Sequence, residues 1–225
     1  VLMQNEFFTE TAFTDASGMA TALAYEPGMI EIYVGKWGYR TLLLTPFVTT
    51  GNNNFDISLT PGYYDDFFFE FGWTVSGDAS SGQWELVKPI GSTFAGMSSN
   101  AGADVATDFG DYCFVTGNGG SGIVNNVNNG TTLLTSPAFD LTGYANPELR
   151  YYRYLALQDG SNDTLRIQIT NGIETVTVEE VRDGNPFEYG FHQSIANISA
   201  LLQPTNNMHL TVTISDMATS GHVVE

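Results

Sequence analysis

Residues 112–140 read YCFVTGNGGSGIVNNVNNGTTLLTSPAFD, and the fold class turns on how this stretch is read. Tyr112 to Thr116 is a short apolar run, Thr131 to Thr135 is a second one closed by Ser136-Pro137, and glycines and asparagines dominate the residues between. Apolar run, turn-forming residues, apolar run predicts strand, polar loop, strand, which is the repeating unit of a β-sandwich. Glycine and asparagine tolerate backbone angles that turn carbonyls and side-chain oxygens inward, so the same loop is a natural place for a ligand.

Working outward, the same period-2 pattern recurs on both sides. Downstream, Leu149 to Leu157 is an aromatic-rich strand. Leu165, Ile167 and Ile169 alternate with Arg166, Gln168 and Thr170, and Val176 and Val178 alternate with Thr175, Thr177 and Glu179. Met208, Leu210, Val212 and Ile214 form one face against His209, Thr211, Thr213 and Ser215. Ile195 to Leu202 reads as a short helix or turn crossing an edge. Upstream, strands are expected at Phe7 to Phe13, Met19 to Tyr25, Met29 to Gly35 and around Phe55, Ile57 and Leu59. Turns are expected at Asp15-Ala-Ser-Gly18 and Glu26-Pro27-Gly28.

Length and composition bound the function. The 225 residues are 42% apolar, enough for one large β domain or for a small and a medium one. Twenty-five acidic against 7 basic residues give a net charge of −18. Such a surface repels phosphate backbones and anionic lipid, which excludes nucleic acid as a partner, whereas calcium would be attracted. No run approaches the ~18 apolar residues of a membrane helix, so no membrane insertion is expected. Cys113, the single cysteine, lies in an apolar run and reads as a buried, inert thiol.

Two resemblances organise the chain. DASGMATALAYEPGMIEIYVGKWGYRT followed by NNNFDISLTPG resembles the carboxypeptidase-regulatory, transthyretin-like module, with its D-x-x-G turn, P-G turn and closing L-x-P-G. After Gly62, Asp65-Asp66-Phe67 through Gly72-Trp73, the run VSGDASSGQWE, the segment Cys113-Phe-Val-Thr-Gly-Asn118 and Asn126 to Leu141 occur in the order typical of a MAM-like, cleaved-adhesin-like jelly-roll module of secreted bacterial proteins. The resemblance implies an all-β chain: a small transthyretin-like β-sandwich over residues 1–62 and a larger jelly-roll β-sandwich over 63–225. It also implies further strands before Val1 and after Glu225.

The family is one of accessory modules, so the resemblance implies a non-catalytic role in an extracellular or cell-surface bacterial protein. Neighbouring domains, a glycan or a surface protein are the implied partners. Alternative readings are a unit of a surface stalk or fibre, a glycan-binding module, and the tail of a secreted metallopeptidase. Calcium-containing relatives imply calcium here, with Asp66 and Glu70 as ligands. Where the family has Asp in the central loop this chain has Asn126 and Asn128, which would hold a cation more weakly.

Other motifs carry less. Gly117-x-Gly119-x-x-Gly122 has dinucleotide-loop spacing, but the Asn-rich run after it has no helical periodicity to supply a helix N-terminus. Trp73, Trp84, Tyr151, Tyr152 and Tyr154 could form a sugar-stacking face, and core packing is the ordinary alternative for them. His192, His209 and His222 form no close-spaced ligand pair, and no nucleophile elbow surrounds a serine, so no catalytic residue is nominated.

Overall fold

The computed structural model describes residues 1–120, 125–157, 163–182 and 190–217. The protein is all-β and antiparallel throughout, with one 3₁₀ turn at Ile198–Ala200 as the only helical element among the described residues. It divides into two compact units, Val1–Asp65 and Asp66–Glu225.

In the first unit, strands β1 (Leu2–Gln4), β2 (Thr9–Thr11), β4 (Glu31–Val34) and β5 (Leu42–Leu44) form one sheet in the order β2-β1-β4-β5. Strands β3 (Gly28–Met29) and β6 (Phe47–Val48) pair separately. Met3, Ile30, Ile32 and Val48 form the core, and all four are buried. The Asp15 turn forms as expected, its Oδ1 accepting from the Ser17 amide at 2.8 Å and the Met19 amide at 3.0 Å.

Three expected strands are corrected. Phe7 to Phe13 contracts to β2, leaving Phe7 72% and Phe13 90% exposed. Met19 to Tyr25 forms no ladder. Its alternation puts only alanines opposite Met19, Leu23 and Tyr25, too little apolar area to hold a strand on a core, and those three side chains lie in solvent. Around Phe55, Ile57 and Leu59 the alternation of burial survives only at Ile57 and Leu59, Phe55 is 42% exposed, and the backbone there joins no ladder.

In the second unit, β7 (Thr74–Gly77), β12 (Gly130–Thr135), β14 (Thr164–Thr170), β15 (Thr175–Arg182) and β17 (His209–Asp216) make a five-stranded sheet, ordered β15-β14-β17-β12-β7. Three further pairs accompany it: β8 (Trp84–Val87) with β11 (Cys113–Thr116), β9 (Ser92–Phe94) with β10 (Met97–Asn100), and β13 (Glu148–Arg153) with β16 (His192–Asn197). Leu165 and Ile167 of β14, Val181 of β15 and Leu210 and Ile214 of β17 point into one core. Trp84 of β8 and Leu149 and Tyr151 of β13 pack on it as well. Each fully buried branched side chain there contributes about 1.5–3 kcal/mol.

The alternation read from the sequence sets the register. Leu165 faces Ile214, Ile167 faces Val212 and Ile169 faces Leu210, so one strand's apolar face meets the next. A bulge between Ile167 and Gln168 shifts the pairing with β15 by one residue. The expected helix or turn at 195–202 is corrected in part: β16 continues to Asn197, whose Oδ1 then accepts from the Ala200 amide at 3.1 Å and caps the 3₁₀ turn.

A polar knot ties the β13–β16 pair to the large sheet. Arg153 Nη2 lies 2.7 Å from Glu179 Oε1, Ser194 Oγ donates to Glu179 Oε2 at 3.2 Å, and the Tyr151 hydroxyl donates to the same oxygen. Burial alone would raise the Glu179 carboxyl. Arg153, Tyr151 and Ser194 outweigh it and hold the carboxyl below its ordinary value.

Candidate functional site

Asp66, first residue of the second unit, is only 1% exposed. Its Oδ1 accepts from the Phe68 amide at 3.2 Å across Phe67, which takes the left-handed backbone conformation at φ +58°, while its Oδ2 is buried and has no hydrogen-bond partner. Asp104 and Asp108 come from the irregular loop between β10 and β11. The Val105 amide donates to Asp104 Oδ1 at 2.7 Å, whereas Asp104 Oδ2 and Asp108 Oδ1 are buried without a partner. Of the six buried side-chain polar atoms without a partner among the described residues, three are carboxylate oxygens of this one trio.

The electrostatics agree. Burial pushes all three carboxyls up; for Asp66 the Phe68 and Phe109 amides offset part of the rise, and the Asp104 charge adds to it. Asp108 is pushed up to about 6, by burial first and then by the charges of Asp104 and Asp66. Cys113, on β11, is pushed up to about 12 by burial first and then by the charges of Asp104 and Asp108. The thiol therefore stays protonated and unreactive at neutral pH, although it is half-buried beside carboxylates rather than buried in an apolar run. Lys88, the basic group nearby in sequence to β8, pairs with exposed Asp111 at 2.6 Å.

The sign of the pH dependence follows. Carboxyls whose folded pKa is raised stabilise the protein below their unfolded value, about 3.9, and that contribution is lost as pH rises through the folded values. At neutral pH the trio is therefore a source of strain unless positive charge joins it.

Glu70, the other expected ligand, is exposed and lines an aromatic cavity of about 190 Å³ with Phe67, Phe71, Trp73 and Phe114, and its charge is not among the causes that shift Asp66, Asp104 or Asp108. The sequence pattern singles out Asp66 but not its companions, because Asp104 and Asp108 sit in a loop without apolar periodicity. The Asp104-x-x-x-Asp108 spacing ahead of a strand was the available signal. Among the described residues no three His, Cys, Asp or Glu side chains converge as a ready-made metal shell.

The central loop is a structural closure. Asn128 Nδ2 donates to Ser81 Oγ at 2.9 Å and to Asn126 Oδ1 at 3.2 Å, Ser81 Oγ donates to the Asn126 carbonyl at 3.0 Å, and Asn126 is 1% exposed. These amides fasten the loop to the segment between β7 and β8. Gly122 lies outside the described residues, and the chain resumes from Asn125 into strand β12 rather than a helix. His222 also lies outside them; His209 Nδ1 sits 3.1 Å from the Ser136 carbonyl oxygen.

Trp73, Trp84 and Tyr151 pack against the core of the second unit and form no exposed platform. Tyr152 stands 47% exposed, and Tyr154 stacks edge-on with Phe191 at a ring separation of 5.9 Å. No helix among the described residues is long and apolar enough to cross a membrane. No family model, no curated protein and no solved structure matches the chain.

Proposed function

We propose that the chain is a non-catalytic, calcium-stiffened β module pair of an extracellular or cell-surface protein, presenting loops at the end of a rigid sandwich for adhesion or for support of neighbouring domains. The observation that carries this reading is the trio Asp66, Asp104 and Asp108, each with one carboxylate oxygen buried without a partner and with charges that act on one another. Buried charges are retained when they are paired or hold a metal, and these like charges lack a pairing partner. The donors are hard oxygens, and the thiol beside them stays protonated, which suits calcium rather than a thiophilic metal. Loop carbonyls would complete the six to eight oxygens that calcium takes.

In this reading the ion fixes the β10–β11 loop to the start of the second unit and reacts with nothing. The expected signature is a reversal of sign on mutation. Without calcium, Asp104→Asn combined with Asp108→Asn relieves like-charge repulsion and raises stability at pH 7.5 by about 1 kcal/mol, discounted because Asp108 is only half-buried. With calcium, the wild type is stabilised and the double variant is not. Urea denaturation with and without chelator checks both halves; a variant that still responds fully to calcium would remove the trio from the ligand set.

A further inference from the structure

The first unit carries a groove of about 600 Å³, bounded by the end of β1 and the turn after it (Gln4 to Phe7), by residues 26–31 and by Thr45. Three carboxylates line it: Glu6, Glu26 and Glu31. Among the described residues none of the three is in an ion pair. Glu31 is pre-set: Gln4 Nε2 donates to its Oε2 at 2.9 Å and the Tyr33 hydroxyl at 3.0 Å, so the carboxylate is held in one orientation with Oε1 left for a further donor. Phe7, 72% exposed, and Met29, 58% exposed, line the same groove, and Phe47, the cross-strand partner of Met29, is 63% exposed.

Large apolar side chains exposed in a contiguous, acid-rimmed groove mark an interaction surface. We propose that this groove docks an extended segment of a partner protein carrying Lys or Arg beside apolar residues. Charge decides the occupant's chemistry: the groove is negative, no basic residue among the described residues lines it, and a cationic head can donate to the unused oxygen of Glu31 while apolar neighbours cover Phe7 and Met29. Met29 is a flexible side chain suited to such a surface, and the fixed Glu31 supplies register.

The test is amide chemical-shift mapping on the full chain with three synthetic probes: an alternating Lys-Leu heptapeptide, the same peptide with Gly for Leu, and the same peptide with Glu for Lys. The Lys-Leu peptide is expected to perturb the amides of residues 4–7, 26, 28–31 and 45. Its affinity should fall severalfold between 50 and 300 mM salt, on the order of one or two screened contacts. Glu31→Gln and Met29→Ala should each weaken it about tenfold without changing the rest of the spectrum. Three results overturn the proposal: no binding of the Lys-Leu peptide, equal binding of the Lys-Gly peptide, or perturbations scattered over the whole surface. The last would reduce the effect to general attraction by a chain of net charge −18.

Discussion

Gly82→Ala is expected to cost the second unit more than about 3 kcal/mol, the sum of a left-handed residue with a side chain and an overpacked contact. Gly82 sits at φ +67°, and an added Cβ would lie 2.4 Å from the Asn126 carbonyl carbon and the Val127 nitrogen. Both neighbours are backbone, and Val127 is fully buried in the core, so neither can swing aside. The loop from Asn125 to Asn129 would have to lift, breaking the Asn128–Ser81 and Ser81–Asn126 hydrogen bonds. Gly18→Ala is the control. It has a comparable φ of +83°, but nothing lies within 4 Å, so the cost is limited to about 1 kcal/mol. Urea denaturation of the two variants should separate them clearly; equal costs would mean that the Gly82 approach is not a close contact in solution.

Arg153→Leu should cost about 3 kcal/mol, the low end of the range for breaking a buried ion pair by removing one partner. The Arg153 side chain is 11% exposed and that of Glu179 21%, so solvent cannot replace the lost guanidinium. Glu179 would keep Tyr151 and Ser194 but lose the guanidinium that does most to offset its burial, so its carboxyl would rise from its depressed value. The depressed wild-type carboxyl contributes stability above its unfolded value, about 4.3, and that contribution is lost as pH falls through the folded value. The penalty of the variant is therefore expected to be largest at neutral pH and to shrink below about pH 4. Adding Glu179→Gln to Arg153→Leu should recover much of the loss at pH 7, because the uncompensated charge is gone. A penalty that does not vary between pH 7 and pH 4 would place the effect in lost packing rather than in the ion pair.

The strands at 131–135, 164–170 and 209–216 were legible because apolar side chains recur in them at alternate positions, whereas β7 to β10 and β16, with few such residues, were not. The runs 164–170, 175–182 and 209–216 cannot bury Leu165, Ile167, Val181 and Ile214 in any other register. The first unit was less legible. Met19, Leu23 and Tyr25 alternate as a strand would, but alternation says only that one face could be buried, and with alanines on the other face no sheet claims the segment. The acidic site was half legible. Asp66 stands in a recognisable aromatic frame, whereas Asp104 and Asp108 reach it from a loop whose path depends on Gly110 and on the pairing of β11 with β8. Long-range closure of that kind leaves no local period to read.

Calcium binding by the acidic trio is tested most directly by thermal unfolding at pH 7.5 and at pH 5, each with calcium and with chelator. At a calcium concentration a hundredfold above Kd the wild type should gain about 2.7 kcal/mol at pH 7.5, on the order of 5–10 °C in Tm for a chain of this size. At pH 5, below the value of about 6 to which Asp108 is pushed, protons compete with the ion. The calcium gain should there be smaller, and the chelated protein itself more stable than at pH 7.5. Identical melting with calcium and with chelator at pH 7.5 would contradict the account.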